Sequence, residues 1–215
     1  MVQRLAAWLL LTLFCALAPG AKAAEPPLKI VALGDSLTAG LGLPAGETFP
    51  ARLTAALSAK GLAVMIENAG VSGDTASGGL DRLDWSVPDG TDAVILELGA
   101  NDALRGLSPE LTKKALDTIL HKLADRHIPV LLAGMRAPRN LGTEYTRQFD
   151  AIYPALASTH AVVFYPFFLE GVATDPKLNQ GDGLHPNPAG VDEIVKRILP
   201  QVEELISRVR AARRS

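Results

Sequence analysis

One cysteine among 215 residues, 5% aromatic residues and a formal net charge of −2 set the first limits on this chain. The only thiol, Cys15, sits inside the apolar N-terminal stretch. Residues beyond that stretch can form neither a disulfide nor a cysteine metal site, and the core alone must hold them together. A near balance of charge excludes the strong basic field that nucleic-acid binding requires. The one basic cluster, Arg208 to Arg214, reads as the solvated end of a closing helix, where cations suit the negative end of the dipole. Long hydrophobic runs are missing too. Leu5 to Ala18 is uncharged but shorter than the roughly 20 residues that span a bilayer, which leaves no stable membrane anchor.

That stretch has another reading. Arg4 supplies a positive start, the apolar run follows, and Ala21-Lys22-Ala23 ends it in small residues, the pattern of a secretory signal peptide over residues 1–23. The boundary falls at 23 or 24, and export to the periplasm or the medium is the consequence. Leu13-Phe14 before Cys15 are too bulky for a lipoprotein site. A composition of 48% hydrophobic and 20% charged residues then supports one globular domain over 25–215.

Within it, apolar β-rich runs at 29–33, 63–66, 93–98, 129–134 and 161–165 alternate with helical periods at about 50–60, 75–83, 109–126, 143–159 and 188–210. The runs are nearly continuous Val, Ile, Leu and Ala, as expected of strands covered on both faces. The spacing predicts an α/β fold with a mostly parallel sheet. Ligands of such folds bind beyond the carboxyl ends of the strands, near the switch in strand order. Four polar, glycine-bearing loops should meet there: Gly34-Asp35-Ser36-Leu37-Thr38-Ala39-Gly40, Asn68 to Thr75, Gly99-Ala100-Asn101-Asp102, and Gly181 to Asn187.

A glycine-flanked serine after a strand suits a phosphate cradle, a plain turn or a nucleophile. A serine hydroxyl is a poor nucleophile at its free pKa and needs a base. His185, three residues after Asp182, could be that base if the carboxylate fixes its tautomer; the alternative is a turn whose Asp182 caps the last helix. Acyl transfer also needs donors for the oxyanion, each contributing about 2.7–4 kcal/mol in the transition state. The backbone N–H groups of Ser36 and Gly73 and the amide of Asn101 are candidates, against turn geometry for Gly73 and an Asx-turn for Asn101. The nucleophile elbow G-x-S-x-G is absent, which disfavours an α/β-hydrolase.

Taken together, GDSL (34–37), Gly73 in VSGDT, GAND (99–102) and DGLHPN (182–187) resemble, in order, the four blocks of the SGNH (GDSL) hydrolase family. LELGANDALRGLSPE, AIYPALA and YPFFLEGV are similar to its thioesterase I / lysophospholipase / arylesterase group. The resemblance implies a three-layer α/β/α sandwich, flavodoxin-like, with a central five-stranded parallel sheet. It also implies Ser36 as nucleophile, Asp182 and His185 completing a triad, and Ser36, Gly73 and Asn101 as the oxyanion hole. The expected substrates are small-molecule acyl esters or thioesters, handled by a monomer without metal or cofactor.

Other residues take plainer roles in this reading. Asp35 and Asp102 order their loops. His121, His127 and His160 are surface or helix-end residues with no acid arranged around them for a metal, and Trp85 is packing. Leu104 and Leu107 would line an acyl cleft, with Met135 to Leu141 as the facing wall, and Arg105 would meet a surface acid or a substrate anion. Two rivals differ in what they act on: an esterase of carbohydrate or cell-wall O-acetyl groups with the same triad, and a non-catalytic flavodoxin-like binding module whose first loop cradles phosphate.

Overall fold

The computed structural model describes residues 26–214. The signal-peptide segment, its cleavage boundary and Cys15 lie outside the described residues. Five strands, β1 (Leu28–Gly34), β2 (Val64–Gly70), β3 (Ala93–Glu97), β4 (Val130–Ala133) and β5 (Val163–Tyr165), form one all-parallel sheet in the order β2-β1-β3-β4-β5. β3 and β4 are buried at every position, which is why their sequences carry no alternation.

The edge strand β2 runs further than its apolar run implied. Asn68 and Gly70, read above as loop, pair with Ala32 and Gly34 of β1. An edge strand is paired on one side only, so its polar exposed residues hide it from a search for apolar runs. Gly70 ends it where the backbone of a one-turn helix α1 (Ser36–Ala39) passes, so close that a Cβ would stand 2.2 Å from the Ala39 nitrogen.

Helices α2 (Phe49–Ala59) and α9 (Pro188–Ala212) pack together against the sheet. α9 has Pro188 in its first turn and Asn187 as its cap, whose side chain accepts from Gly190 N–H. Its buried residues, from Val191 and Ile194 through Ile198, Val202 and Leu205 to Val209, keep one stripe toward the sheet. The other helical layer includes α3 (Ala76–Asp81), α4 (Leu83–Ser86), α6 (Pro109–Asp125), α7 (Thr143–Asp150) and α8 (Ile152–Thr159), with the short α5 (Ala100–Leu104) leading into α6. The helix expected over 143–159 is two helices. Pro154 cannot donate to the carbonyl four residues back, and the chain breaks at Ala151.

Strand order reverses between β1 and β3, the two strands that flank the switch point. Ser36 follows β1 and Asn101 follows β3. The fold therefore presents both loops at the crevice where such sheets bind ligands. No helix among the described residues is long and apolar enough to cross a membrane.

Candidate active site

Asp35 caps α1 by accepting from Leu37 N–H at 3.0 Å, which leaves Ser36 at the first helical position with its hydroxyl at the crevice. Ser36 is 8% exposed. Its Oγ lies 2.9 Å from Nε2 of His185, 149 residues away in sequence. Nδ1 of the same imidazole lies 2.6 Å from Oδ2 of Asp182. The other carboxylate oxygen, Oδ1, accepts from the backbone N–H groups of His185 and Leu184, at 3.0 and 2.9 Å. Those two bonds first, and the imidazole after them, hold the Asp182 carboxyl down at about 2. A carboxylate ionised throughout the working range fixes the imidazole with Nε2 toward Ser36.

The His185 loop is itself tied to the Ser36 loop. Gln180 donates its side-chain amide to the carbonyls of Leu41 and Pro186, at 2.8 and 3.0 Å, while its backbone N–H reaches His185 O at 2.7 Å. Asp182 does not cap α9, since Asn187 does.

Gly73 has φ +86°, a left-handed conformation that favours glycine, and its carbonyl accepts from Arg105 at 2.8 Å. The N–H groups of Ser36 and Gly73 meet no protein acceptor among the described residues. Asn101 differs from them. Its Nδ2 donates to Asp35 Oδ2 at 3.1 Å and to Asp74 O at 2.9 Å, so both amide hydrogens have acceptors.

Beneath this surface lie two carboxyls. Glu97, fully buried at the end of β3, accepts at Oε2 from Thr38 Oγ1 at 2.8 Å and from Asp35 N–H at 3.4 Å, whereas its Oε1 is buried without a partner. Burial, then repulsion from Asp35, drives the Glu97 carboxyl well above its ordinary range. Burial likewise pushes Asp35 up to about 6, against the pull of Leu37 N–H, Asn101 and His185. Both Asp35 oxygens have donors and Glu97 Oε1 has none, so Glu97 holds the proton where the two compete.

A raised folded pKa makes this pair stabilising below the ordinary carboxylate range, and that contribution disappears as pH rises through the folded values. The fall in melting temperature from pH 5 to pH 8 is therefore expected to be shallower in Glu97→Gln, by about 4 °C. Parallel thermal scans across that range measure it, and equal slopes would contradict the charge assignment.

The geometry has counterparts among known proteins. Residues 32–192 match the model of the GDSL-like Lipase/Acylhydrolase family. An arylesterase of Vibrio mimicus is 40% identical over 179 residues, covering 83% of this chain and 88% of that protein. Thioesterase 1/protease 1/lysophospholipase L1 of Escherichia coli K12 is 39% identical over 200 residues, covering 91% and 94%. The crystal structure of AlinE4, an SGNH-hydrolase family esterase, superposes with a TM-score of 0.71 at 49% identity, over 83% of this chain and 96% of that one. The chain belongs to the GDSL-like lipase/acylhydrolase family.

In this acylhydrolase, several side chains stand elsewhere than the sequence implied. Arg105 meets no acid among the described residues; it is exposed and donates to the Gly73 carbonyl. Met135 and Ala137 are buried in the core, whereas Arg136, Arg139 and Asn140 of the same segment are exposed, so the two side chains cannot line a cleft. Trp85 is 71% exposed and does not pack. Leu104 and Leu107, 51% and 38% exposed, are available at the surface beside Asn101. His121 is an exposed helix residue and His160 ends α8, as expected, but Asp117 stands against both, an acid not expected there from the sequence.

The acylhydrolase also uses residues the motifs did not mark. Arg82, 6% exposed, donates to Asp74 Oδ2 at 2.6 Å, to the carbonyls of Ala69 and Gly34, both at 2.8 Å, and to Ser86 Oγ at 2.9 Å. One guanidinium thus ties the ends of β1 and β2 to the loop carrying Gly73. Asp102, already read from the GAND block as a loop-ordering acid, joins α3 and α6 by accepting from Ala76 N–H and Thr112 Oγ1. A lone acid in an apolar run was the available signal for Glu97. For Arg82 the signal was only a cation amid helical glycines and leucines.

Proposed function

We propose that this acylhydrolase is a serine esterase of acyl esters and thioesters, with Ser36 as nucleophile, His185 as general base and acid, and Asp182 as its orienting carboxylate. The observation that carries the reading is the continuous line Ser36 Oγ, His185 Nε2, His185 Nδ1, Asp182 Oδ2, with contacts of 2.9 and 2.6 Å at the switch point of the sheet. Oγ attacks the acyl carbonyl as its proton passes to Nε2. The oxyanion forms against Ser36 N–H and Gly73 N–H, joined by Asn101 when it turns one amide hydrogen from the Asp74 carbonyl while Asp35 keeps the other. The tetrahedral adduct collapses, Nε2 returns the proton to the leaving alkoxide or thiolate, and an acyl-serine remains. Water, deprotonated by the same imidazole, then releases the acid.

Aryl esters, lysophospholipids and acyl-CoA-type thioesters are the substrate classes, as the names of the relatives suggest. Exposed Leu41, Leu104, Leu107 and Leu184, on the segments carrying Ser36, Asn101 and His185, favour a medium or long acyl chain over acetate. The enzyme acts as a monomer, exported by residues 1–23, without metal or cofactor in the reaction.

A panel of p-nitrophenyl acetate, octanoate and palmitate, lysophospholipid and acyl-CoA tests the substrate class. We expect octanoate to exceed acetate by at least about tenfold in kcat/KM, the discrimination that a single methylene in an apolar pocket supplies at about 1–3 kcal/mol. A sharp preference for acetate would transfer the reading to O-acetyl groups of carbohydrate. Failure of an alkyl phosphonate to label Ser36 would remove the catalytic reading altogether.

A further inference from the structure

At the far end of the sheet from Ser36, three metal-binding side chains converge where nothing in the ester chemistry needs them. Asp117 and His121 are one turn apart on α6 and project from the same face. His160 follows α8 directly, its N–H closing on Leu156 O, and leads the chain into β5. Packing α8 on α6 brings His160 Nε2 to 2.7 Å from Asp117 Oδ1. His121 Nδ1 lies 3.6 Å from Asp117 Oδ2 and 2.9 Å from the Asp117 carbonyl. The two imidazoles meet edge to face at 82°, with centroids 4.7 Å apart, and one ligand atom from each of the three residues lies within 4.8 Å of the others.

We propose that Asp117, His121 and His160 form a structural binding site for a zinc-class divalent cation. Two imidazoles and one carboxylate are borderline donors that suit Zn²⁺ and its first-row neighbours, whereas Mg²⁺ and Ca²⁺ require mostly oxygen. An ion bound at about 2.0–2.2 Å from each donor separates donors by roughly 3.3–3.6 Å in a tetrahedron. The Asp117–His160 pair must open slightly and the His121 ring must close in. His160 is held, with a side chain only 10% exposed, while His121, at 65%, has room to turn once its Nδ1 leaves the Asp117 carbonyl.

Each ring offers a lone pair to the ion and keeps its proton on its other nitrogen, so His160 carries it on Nδ1 and His121 on Nε2. Water completes the fourth position on the exposed side. The ion replaces two hydrogen bonds, His160 Nε2 to Asp117 Oδ1 and His121 Nδ1 to the Asp117 carbonyl, with coordinate bonds between α6 and the α8–β5 connection, clamping two segments joined here by side chains. It takes no part in ester hydrolysis, since His160 precedes β5 and Ser36 follows β1 in an all-parallel sheet.

The test uses the purified full-length enzyme, stripped with EDTA and dialysed. Titration with ZnCl₂ should show one Zn²⁺ per chain and a melting temperature raised by about 5 °C at saturation. Co²⁺ should bind with the visible absorption of a tetrahedral ion, and MgCl₂ and CaCl₂ should leave the transition unmoved. Because His121 is exposed, His121→Ala should keep the metal-free melting temperature and the p-nitrophenyl ester activity of the parent while losing the Zn²⁺ response. Absence of stoichiometric binding to the parent overturns the site. So does a Zn²⁺ response that survives in His121→Ala, since that would place the ion elsewhere, for instance at the Asp182/His185 pair.

Discussion

Replacing Ser36 by alanine should reduce kcat for p-nitrophenyl octanoate by about 10⁵- to 10⁶-fold while leaving the thermal transition within about 1 °C of the parent. The large loss follows because, among the described residues, the Ser36 hydroxyl is the one that meets His185 Nε2, at 2.9 Å. The small structural effect follows from the same geometry. Ser36 Oγ has His185 as its hydrogen-bond partner, and Cβ, the Asp35 cap and the helix-opening backbone all persist in the alanine variant. Alanine is also the better helix former at that position. Residual hydrolysis above the water rate should remain, because the Ser36 and Gly73 N–H groups still polarise a bound carbonyl. Retention of more than about one tenth of parental kcat would exclude a serine nucleophile at this position, and a collapsed transition would show that Ser36 is structural.

The sheet was readable in advance because a doubly covered parallel strand is written as an unbroken apolar run. β1, β3 and β4 lie within a residue or so of those runs. β5 is shorter, since residues 161 and 162 are not paired. α1 and α5, with four and five residues, are too short to display a helical period, yet they hold Ser36 and Asn101. The residues proposed for the chemistry stood out because they sit in glycine-bearing blocks, those of Ser36 and Asn101 directly after β1 and β3. Their supports were not. Arg82 reaches the carbonyls of Ala69 and Gly34 and Gln180 that of Leu41, and no residue type at the accepting end records such a bond.

The histidines make the same point in reverse. Asp117 stands four residues before His121 on α6, a spacing passed over in the expectation that the histidines have no acid around them. His160 is 43 residues beyond Asp117, and only the packing of α8 on α6 reveals it as the third member. Pairwise spacing along a chain detects sites built within one element and misses those assembled between elements. The Asp35–Glu97 pair is likewise an assembly across two strand ends, and it couples the helix carrying Ser36 to Asn101 through Asp35.

Asp182→Asn is expected to lower kcat by about 10⁴-fold with an unchanged melting temperature. In the parent, Oδ1 receives the N–H groups of Leu184 and His185 and Oδ2 faces Nδ1 of the imidazole. An asparagine that keeps the two backbone bonds through its single oxygen must aim its amide nitrogen at Nδ1. Nδ1 then has to accept, the ring proton moves to Nε2, and Nε2 can no longer take the proton of Ser36. Asp182→Ala separates orientation from loop structure, because it removes the acceptor for both backbone N–H groups as well as the partner of Nδ1. We expect it to lower kcat and also to loosen the His185 loop, read as faster amide exchange at Leu184 and His185. Steady-state kinetics, thermal scans and exchange rates on the two variants distinguish these effects. A loss below about tenfold in Asp182→Asn would mean that the imidazole is oriented by something other than this carboxylate, even though the two stand 2.6 Å apart.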